Sequence, residues 1–247
     1  MHDEEPWQPG DPLKEIPESI FADDRGEADA LLAQALIRYS SGKAHLADVV
    51  DALAYARVLV PVVADGEQRI VGKYGVEQDH VASTGVVALR TPDGRAALPV
   101  FTDVAAMVSW SKDARPIPAE GPRAALAAIS EGWAVLVINP AQEAVVIPRP
   151  AVWALGQGEP WRPVVVDGVV VPEIVSAVRD CVMGAPHVVM ADAVPGRSAE
   201  VAVVLSLSAG LEQSQLDETV RDVQSRLAAQ ELIAHRVDGL ELRLSQA

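Results

Sequence analysis

The stretch WAVLVINPAQEAVVIPRPAVWAL, residues 133–155, contains the pattern that decides the fold. An apolar run at 133–138 is followed by turn-forming residues at 139–142 and by a second apolar run at 144–147. This order predicts a β-hairpin, because Asn and Pro favour the turn between two extended segments. Pro150 then begins a predicted short helix, since proline fits the first turn of a helix.

A similar unit occurs 48 residues earlier in the chain. Residues 84–100 predict two strands around a Thr-Pro-Asp-Gly turn, and residues 103–110 predict a helix with Thr102 as its N-cap. With this shift Leu98 aligns with Val146. We therefore expect two hairpin–helix units packed in one sheet.

The elements before these units follow from periodicity and from proline. Apolar residues at three- and four-residue spacing predict helices at 27–40 and 44–55. The run 58–63 is apolar and mostly β-branched, so it predicts a buried strand, and Pro61 restricts that strand to an edge or a bulge. The polar stretch 65–82 predicts a long loop or an irregular hairpin.

A Gly- and Pro-rich segment, 156–163, predicts a domain boundary. The pattern beyond it predicts, in order, a helix at 172–183, strands at 186–193 and 200–207, a helix at 212–230 and a strand at 240–244. The last strand, LELRL, alternates apolar and polar residues, so we expect one of its faces to be solvated.

These patterns predict an α/β fold of the α+β kind. We expect an acidic flexible arm at 1–26 and an N-terminal domain at 27–160 that has a mixed or antiparallel sheet with flanking helices. A smaller C-terminal α+β domain is expected at 165–247. With 247 residues and 49% apolar composition, the chain is long enough and apolar enough to bury cores in both.

The charge of the chain is concentrated near its start. The formal net charge is −15, and residues 1–30 hold ten acidic and two basic residues. The rest of the chain is therefore only mildly acidic. No stripe of clustered Lys and Arg with interleaved aromatic residues occurs, so we predict no nucleic-acid partner, and the acidity also opposes docking on anionic membranes.

The compartment follows from features that the sequence lacks. A single cysteine, Cys181, cannot form an intrachain disulfide. The N-terminus is acidic, unlike a secretory signal, and no apolar run approaches the ~20 residues of a membrane span. We therefore predict a cytoplasmic protein without a membrane partner.

Four segments together resemble a known family. They are 21–24 (FADD), 56–62 (ARVLVPV), 98–102 (LPVFT) and 148–163 (PRPAVWALGQGEPWRP). In these segments the chain resembles the SseB family (enhanced serine sensitivity protein type), in its actinobacterial form, over roughly residues 20–160. The resemblance implies a cytoplasmic α/β protein of unsettled molecular function, and it brings no catalytic residues with it.

No residue set carries a catalytic, cofactor or metal signature. None of the five histidines has a second His or Cys at the spacing of zinc ligands. Cys181 lies within a predicted helix, where packing is favoured over nucleophilic chemistry. Asp23 and Asp24 could bind a divalent cation, but Asp24 is better placed to cap the helix beginning near Glu27. We therefore predict no catalytic, cofactor-binding or metal-ligating residue.

The tryptophans give the candidate interaction site. Trp153 and Trp161 flank the Gly-Gln-Gly-Glu-Pro segment, with Arg149 and Arg162 beside them. Core packing explains buried tryptophans in general. If these two are exposed, the four side chains would form a ledge for a partner protein, because Trp and Arg anchor interfaces.

Three functional hypotheses remain open. We predict a non-catalytic protein-interaction or regulatory module with an unidentified protein partner. The alternative is an enzyme or small-metabolite binder with its site at the junction of the two domains. Residues of the 65–82 stretch would then form a lid or wall, namely Lys73, Tyr74, Asp79 and His80. In a third hypothesis the acidic arm itself binds a basic partner.

Overall fold

The computed structural model describes residues 21, 23–63, 77–81 and 86–247. Most of the predicted acidic arm and most of the predicted loop at 65–82 lie outside these residues, as do Lys73 and Tyr74.

The N-terminal half alternates helices with short strands. Its elements are α1 (Ala30–Ser40), α2 (Leu46–Leu53), β1 (Arg57–Val62), β2 (Glu77–Val81), β3 (Val87–Arg90), β4 (Ala96–Val100), α3 (Val104–Trp110), β5 (Arg115–Glu120), α4 (Gly121–Ser130), β6 (Val135–Ile138), β7 (Val145–Ile147) and α5 (Arg149–Gln157).

One mixed sheet contains both predicted hairpins. Its strand order is β2-β3-β4-β6-β7. Within each hairpin the strands are antiparallel, and the two hairpins meet through the parallel pair β4–β6, with Leu98 opposite Leu136. The prediction of two hairpin–helix units in one sheet is confirmed, and the sheet is of the mixed kind.

Strand β1 forms a separate two-stranded ribbon with β5. Leu59 exchanges backbone hydrogen bonds with Phe101 on the other side of β1 (2.8 and 2.9 Å), which ties the ribbon to the end of β4. Because bonding sides alternate along a strand, Pro61 lies opposite Pro116 at a position where neither needs an amide hydrogen. The predicted strand is confirmed, but it is not a simple edge, because β1 has backbone partners on both sides, β5 on one and Phe101 on the other.

The C-terminal half contains a second, smaller sheet. Its elements are β8 (Val165–Val166), β9 (Val169–Val170), α6 (Pro172–Val182), β10 (Val188–Pro195), β11 (Val201–Leu207), α7 (Gln213–Ala229), α8 (Glu231–Arg236) and β12 (Leu240–Gln246). Strand β10 pairs antiparallel with β11, and β11 pairs parallel with β12. The small β8–β9 hairpin and helix α8 are additions to the predicted order.

Each half has its own apolar core. One core gathers buried residues between Leu32 and Leu155, and the other gathers buried residues between Val164 and Val237. The α+β fold class is confirmed, whereas the exact domain boundaries stay a prediction.

Two predicted helix caps are wrong. Helix α1 begins at Ala30, where Asp29 Oδ1 accepts from the amides of Leu31 (2.9 Å) and Leu32 (3.0 Å), so Asp24 does not cap it. At α3 the N-cap is Asp103, whose carboxylate accepts from Ala106 N (2.8 Å). In both cases the carboxylate nearest the first free amides is the cap.

Candidate functional site

Arg149 of the predicted ledge joins the two halves of the chain. Its backbone amide donates to Asp238 Oδ1 (3.0 Å). Its guanidinium Nη2 donates to the carbonyl oxygens of Ala234 (2.9 Å) and Val237 (2.8 Å). Since its side chain binds these carbonyl groups, Arg149 holds the start of α5 against the segment between α8 and β12.

The other three ledge residues occupy different surroundings. Trp153 lies one turn after Arg149 on α5 and is 44% exposed. The side chain of Arg162 is exposed, and its carbonyl oxygen accepts from Arg236 (3.2 Å). Trp161 is half-buried against the N-terminal core. Contact of these residues with a partner protein stays a prediction.

Trp161 lines a cavity of about 540 Å³ at the surface of the N-terminal half, which we call the Trp161 cavity. Its walls come from the end of α2, the start of α4, the end of α5 and the segment that follows α5. The lining residues are Val50, Asp51, Ala54, Tyr55, Pro122, Leu155, Gly158, Glu159, Pro160 and Trp161.

Gly158 sets the path of the chain into this cavity. It ends α5 in the left-handed conformation (φ 70°), which glycine adopts without steric cost. The amide of Gly158 donates to Leu155 O (3.1 Å) and the amide of Glu159 donates to Ala154 O (2.9 Å). The chain therefore reverses just after the helix and returns Trp161 to the core.

Acidic and aromatic side chains line the Trp161 cavity. Asp51 and Glu159 contribute carboxylates, and Tyr55, which is 89% exposed, stands at the rim. The described lining contains no Lys or Arg. Carboxylates beside aromatic rings favour a cation, through ion pairing and through the negative faces of the rings.

The indole N–H of Trp161 is a buried donor that lacks an acceptor among the described residues. Buried polar groups in folded proteins almost always have a partner, either protein or water. This donor is therefore left unsatisfied by the described residues, a state in which an internal water molecule is the usual partner.

A second cavity of about 320 Å³ lies where the parallel strands β4 and β6 end. Thr102 follows β4 and Asn139 follows β6, and their side chains are linked: Asn139 Nδ2 donates to Thr102 Oγ1 (3.0 Å). The Thr102 amide donates to Asn139 Oδ1 (3.1 Å). Asn139 has a φ of 50°, a left-handed conformation that Asn tolerates better than most residues. We call this cavity the carboxyl-edge cleft.

Two further hydrogen bonds fix Thr102 at the carboxyl-edge cleft. Thr102 Oγ1 donates to Asp103 Oδ2 (2.9 Å), and the guanidinium of Arg57 donates to the Thr102 carbonyl (2.9 Å). Arg57 also pairs with Asp24 (2.8 Å). Asp24 therefore serves as an ion-pair partner for Arg57.

A third cavity, of about 280 Å³, lies at the junction of the two halves, and we call it the junction cavity. Arg149 is its contribution from the N-terminal half, and the remaining lining residues come from α7, α8, β12 and the segment between α8 and β12. Nearby, Glu200 Oε2 accepts from Asp238 N (2.7 Å), and burial raises the pKa of the Glu200 carboxyl.

Cys181, the single cysteine, has a packing position. Cys181 is half-buried against the C-terminal core, as predicted, and burial raises the pKa of its thiol. Over the described part of the chain, no three His, Cys, Asp or Glu residues are placed to hold a metal ion. No helix in the described ranges is both long and apolar enough to cross a bilayer.

The Trp161 cavity joins residues that are about 110 positions apart, and sequence reasoning found only its Trp161 wall. Asp51 and Tyr55 carry no motif, so no local signal indicates them. Thr102 and Asn139 carry a usable signal, since each is a polar residue directly after a buried strand.

Comparison with known proteins gives a family for the N-terminal half. No curated protein and no solved structure matches the chain. The family model described as SseB protein N-terminal domain matches residues 32–154, which run from α1 into α5 and include both hairpin–helix units. The chain therefore belongs to the SseB family.

Proposed function

We propose that this SseB family protein is a non-catalytic protein-interaction module, and that its Trp161 cavity receives a basic side chain of a partner protein. The observation that carries the proposal is the lining of the cavity, where two carboxylates and two aromatic rings occur without a described basic residue.

The chemistry of the lining favours arginine or lysine as the entering group. A guanidinium or ammonium would pair with Asp51 and Glu159 and lie over the rings of Trp161 or Tyr55. The net charge of −15 would speed the approach of a basic partner.

Three of the four residues of the predicted ledge are part of this proposal. Trp161 contributes a wall of the cavity, and Arg162 follows it directly in the chain. Trp153 is exposed on α5 and would add an outer apolar contact. We leave Arg149 out of the proposed contact, because its guanidinium Nη2 already donates to two carbonyl groups.

A capped arginine tripeptide, acetyl-Gly-Arg-Gly-amide, tests the proposal directly when its binding is followed by NMR chemical shifts. The matched ligand is the same peptide with citrulline, which has the shape of arginine without its charge. We expect the arginine peptide to shift the resonances of Tyr55 and Trp161 and the citrulline peptide to leave them unchanged. Equal shifts from the two peptides would overturn the proposal.

Variants of the cavity provide the second arm of this test. Replacing Asp51 with Asn and Glu159 with Gln should abolish the shifts while keeping the shape of the walls. The control combines Asp180→Asn with Glu218→Gln, two exposed acidic residues on α6 and α7 that remove the same charge elsewhere. Loss of binding in the control alone, or in both variants equally, would indicate a nonspecific charge effect.

The small-molecule alternative is favoured at the carboxyl-edge cleft more than at the predicted junction. Ligands of α/β proteins commonly bind outside the carboxyl ends of parallel strands, and Thr102 and Asn139 occupy that place here. A thermal-shift screen over metabolites, including serine, tests this alternative. Stabilisation that Asn139→Ala removes would support it, and no stabilisation across the panel would count against it.

A further inference from the structure

Strand β12 presents an open edge. Its one strand neighbour among the described residues is β11. The ladder begins with Val201 N donating to Gly239 O (3.2 Å) and ends with Ala247 N donating to Leu207 O (2.8 Å). Because bonding sides alternate, the amides and carbonyls of residues 240, 242, 244 and 246 point away from β11. Such an edge is a template for another strand.

The sequence of β12 is complementary to itself when it is reversed. Leu240-Glu241-Leu242-Arg243-Leu244 has leucine at both ends and at the centre, with one acidic and one basic residue between them. In an antiparallel pair of two copies centred on Leu242, Glu241 of each copy lies opposite Arg243 of the other. These are non-hydrogen-bonded positions, where opposing side chains lie closest together.

A second register, with its two-fold axis at Arg243, is unfavourable because of charge. A two-fold axis at Arg243 also satisfies the outward amides, but it places the two Arg243 side chains directly opposite each other. Like charges facing each other across a strand pair destabilise it. Charge therefore selects the register centred on Leu242.

The apolar side of the strand agrees with this register. Leu240 and Leu242 line the junction cavity, together with apolar residues of α7 and α8. Leu244, on the same side of β12, is 44% exposed. In the selected register Leu244 of the second copy lies opposite Leu240, so it reaches the mouth of the junction cavity and becomes covered.

We propose that this chain forms a two-fold homodimer through antiparallel pairing of β12 edges about Leu242. The pairing joins the two three-stranded sheets into one six-stranded sheet and places a leucine of each copy at the junction cavity of the other. The interface is small, so we expect a weak dimer whose population increases with protein concentration. It uses no residue of the Trp161 cavity.

Charge variants test the pairing by sedimentation of the full chain over a concentration series up to about 1 mM. Arg243→Glu places glutamate opposite glutamate and should give a monomer. Glu241→Arg places arginine opposite arginine and should also give a monomer. When the two variants are mixed, both cross-strand pairs become attractive, so a heterodimer should form.

A second measurement guards against a folding artefact. Glu241 accepts hydrogen bonds from the amides of Arg197 (3.1 Å) and Ser198 (2.7 Å), and Arg243 pairs with Glu241 of its own strand. Both charge variants therefore also remove contacts within the chain, and each is checked by thermal melting. Leu244→Asp should also give a monomer, whereas Leu31→Asp, which changes an exposed leucine on α1, should dimerise as the wild type does. A wild-type monomer throughout, or an Arg243→Glu dimer of unchanged strength, would overturn the proposal.

Discussion

The two hairpin–helix units share a chain plan and differ in what their helices contact. In the first unit, α3 is capped by Asp103 and ends at Trp110, whose ring lies 5.3 Å from that of Phe101. In the second unit, α5 begins at Arg149 with no side-chain cap and joins the C-terminal half. Helix α3 packs within its own half, and helix α5 connects that half to the C-terminal half.

The two units therefore differ in how their helices are used. In the first unit, Ala106 and Met107 of α3 are buried in one apolar cluster with Leu59 of β1 and Phe101. The second unit lies at the end of the sheet, where α5 can offer one flank to the junction cavity and its C-terminal end to the Trp161 cavity.

The largest expected effect on the free energy of unfolding distinguishes two residues that align when one unit is shifted by 48 residues onto the other. Leu98 is fully buried, whereas Val146 is 42% exposed. We expect Leu98→Ala to lower the free energy of unfolding by about 2–5 kcal/mol, because it leaves a cavity in the core. Val146→Ala should change it by less than about 0.5 kcal/mol. Urea denaturation of both variants measures the contrast, and equal losses would break it.

The next largest effect on the free energy of unfolding is expected at Gly158, where α5 ends. Gly158 has a φ of 70°, so Gly158→Ala forces an L-residue into the left-handed region. We expect a loss of about 1–2 kcal/mol in the free energy of unfolding. Asn tolerates this conformation better, so Gly158→Asn should retain part of that stability. If alanine and asparagine are equally tolerated, the turn into the Trp161 cavity does not depend on the glycine.

The cap of α3 gives a smaller effect that is specific to the first unit. Asp103→Ala removes the acceptor for Ala106 N and should cost about 1 kcal/mol of unfolding free energy. Asp103→Asn should recover most of it, since asparagine is an equally good cap. Denaturation curves of the pair decide whether hydrogen bonding or charge supports the helix start, and an unchanged Asp103→Ala curve would contradict the assignment of the cap.

The smallest effect concerns Glu200 beside the junction. Burial raises the pKa of its carboxyl above the ordinary 4.5, so the folded state holds this proton more tightly than the unfolded state does. The resulting stabilisation is complete at low pH and is lost as the pH rises from 4.5 through the raised pKa.

Glu200→Gln removes this loss because glutamine does not titrate. The unfolding free energy of Glu200→Gln relative to the wild type should therefore rise as the pH increases through that window. Thermal melts at a series of pH values follow this difference, and a difference that falls with pH would show that ion pairing of Glu200 outweighs its burial.

Local patterns were sufficient for most of the fold. Periodicity, proline and turn residues predicted nearly all helices and the strands of both hairpins, because these features are encoded within a few residues. The β8–β9 hairpin was missed because each of its strands has two residues, too few for an alternation to show. Helix α8 was missed because Gln230, which caps it, directly follows α7.

The candidate site was harder to predict, because its residues are brought together by tertiary contacts. Trp161 stood out by its rarity, but Asp51 and Tyr55 reach it only through the packing of α2 against the end of α5. Arg149 was placed in the predicted ledge, but the carbonyl groups that it binds lie about 85 residues later in the chain. No local pattern carries that information.

The prolines of β5 have a consequence for the solubility of the molecule. Residues 115, 117 and 119 bond to β1, so the nitrogens of Pro116 and Pro118 face the other side of β5, where each lacks the hydrogen a new strand would need. The ribbon is thereby guarded against edge-to-edge aggregation. Strand β12 keeps all of its outward donors, so the chain blocks strand addition at one sheet margin and permits it at another.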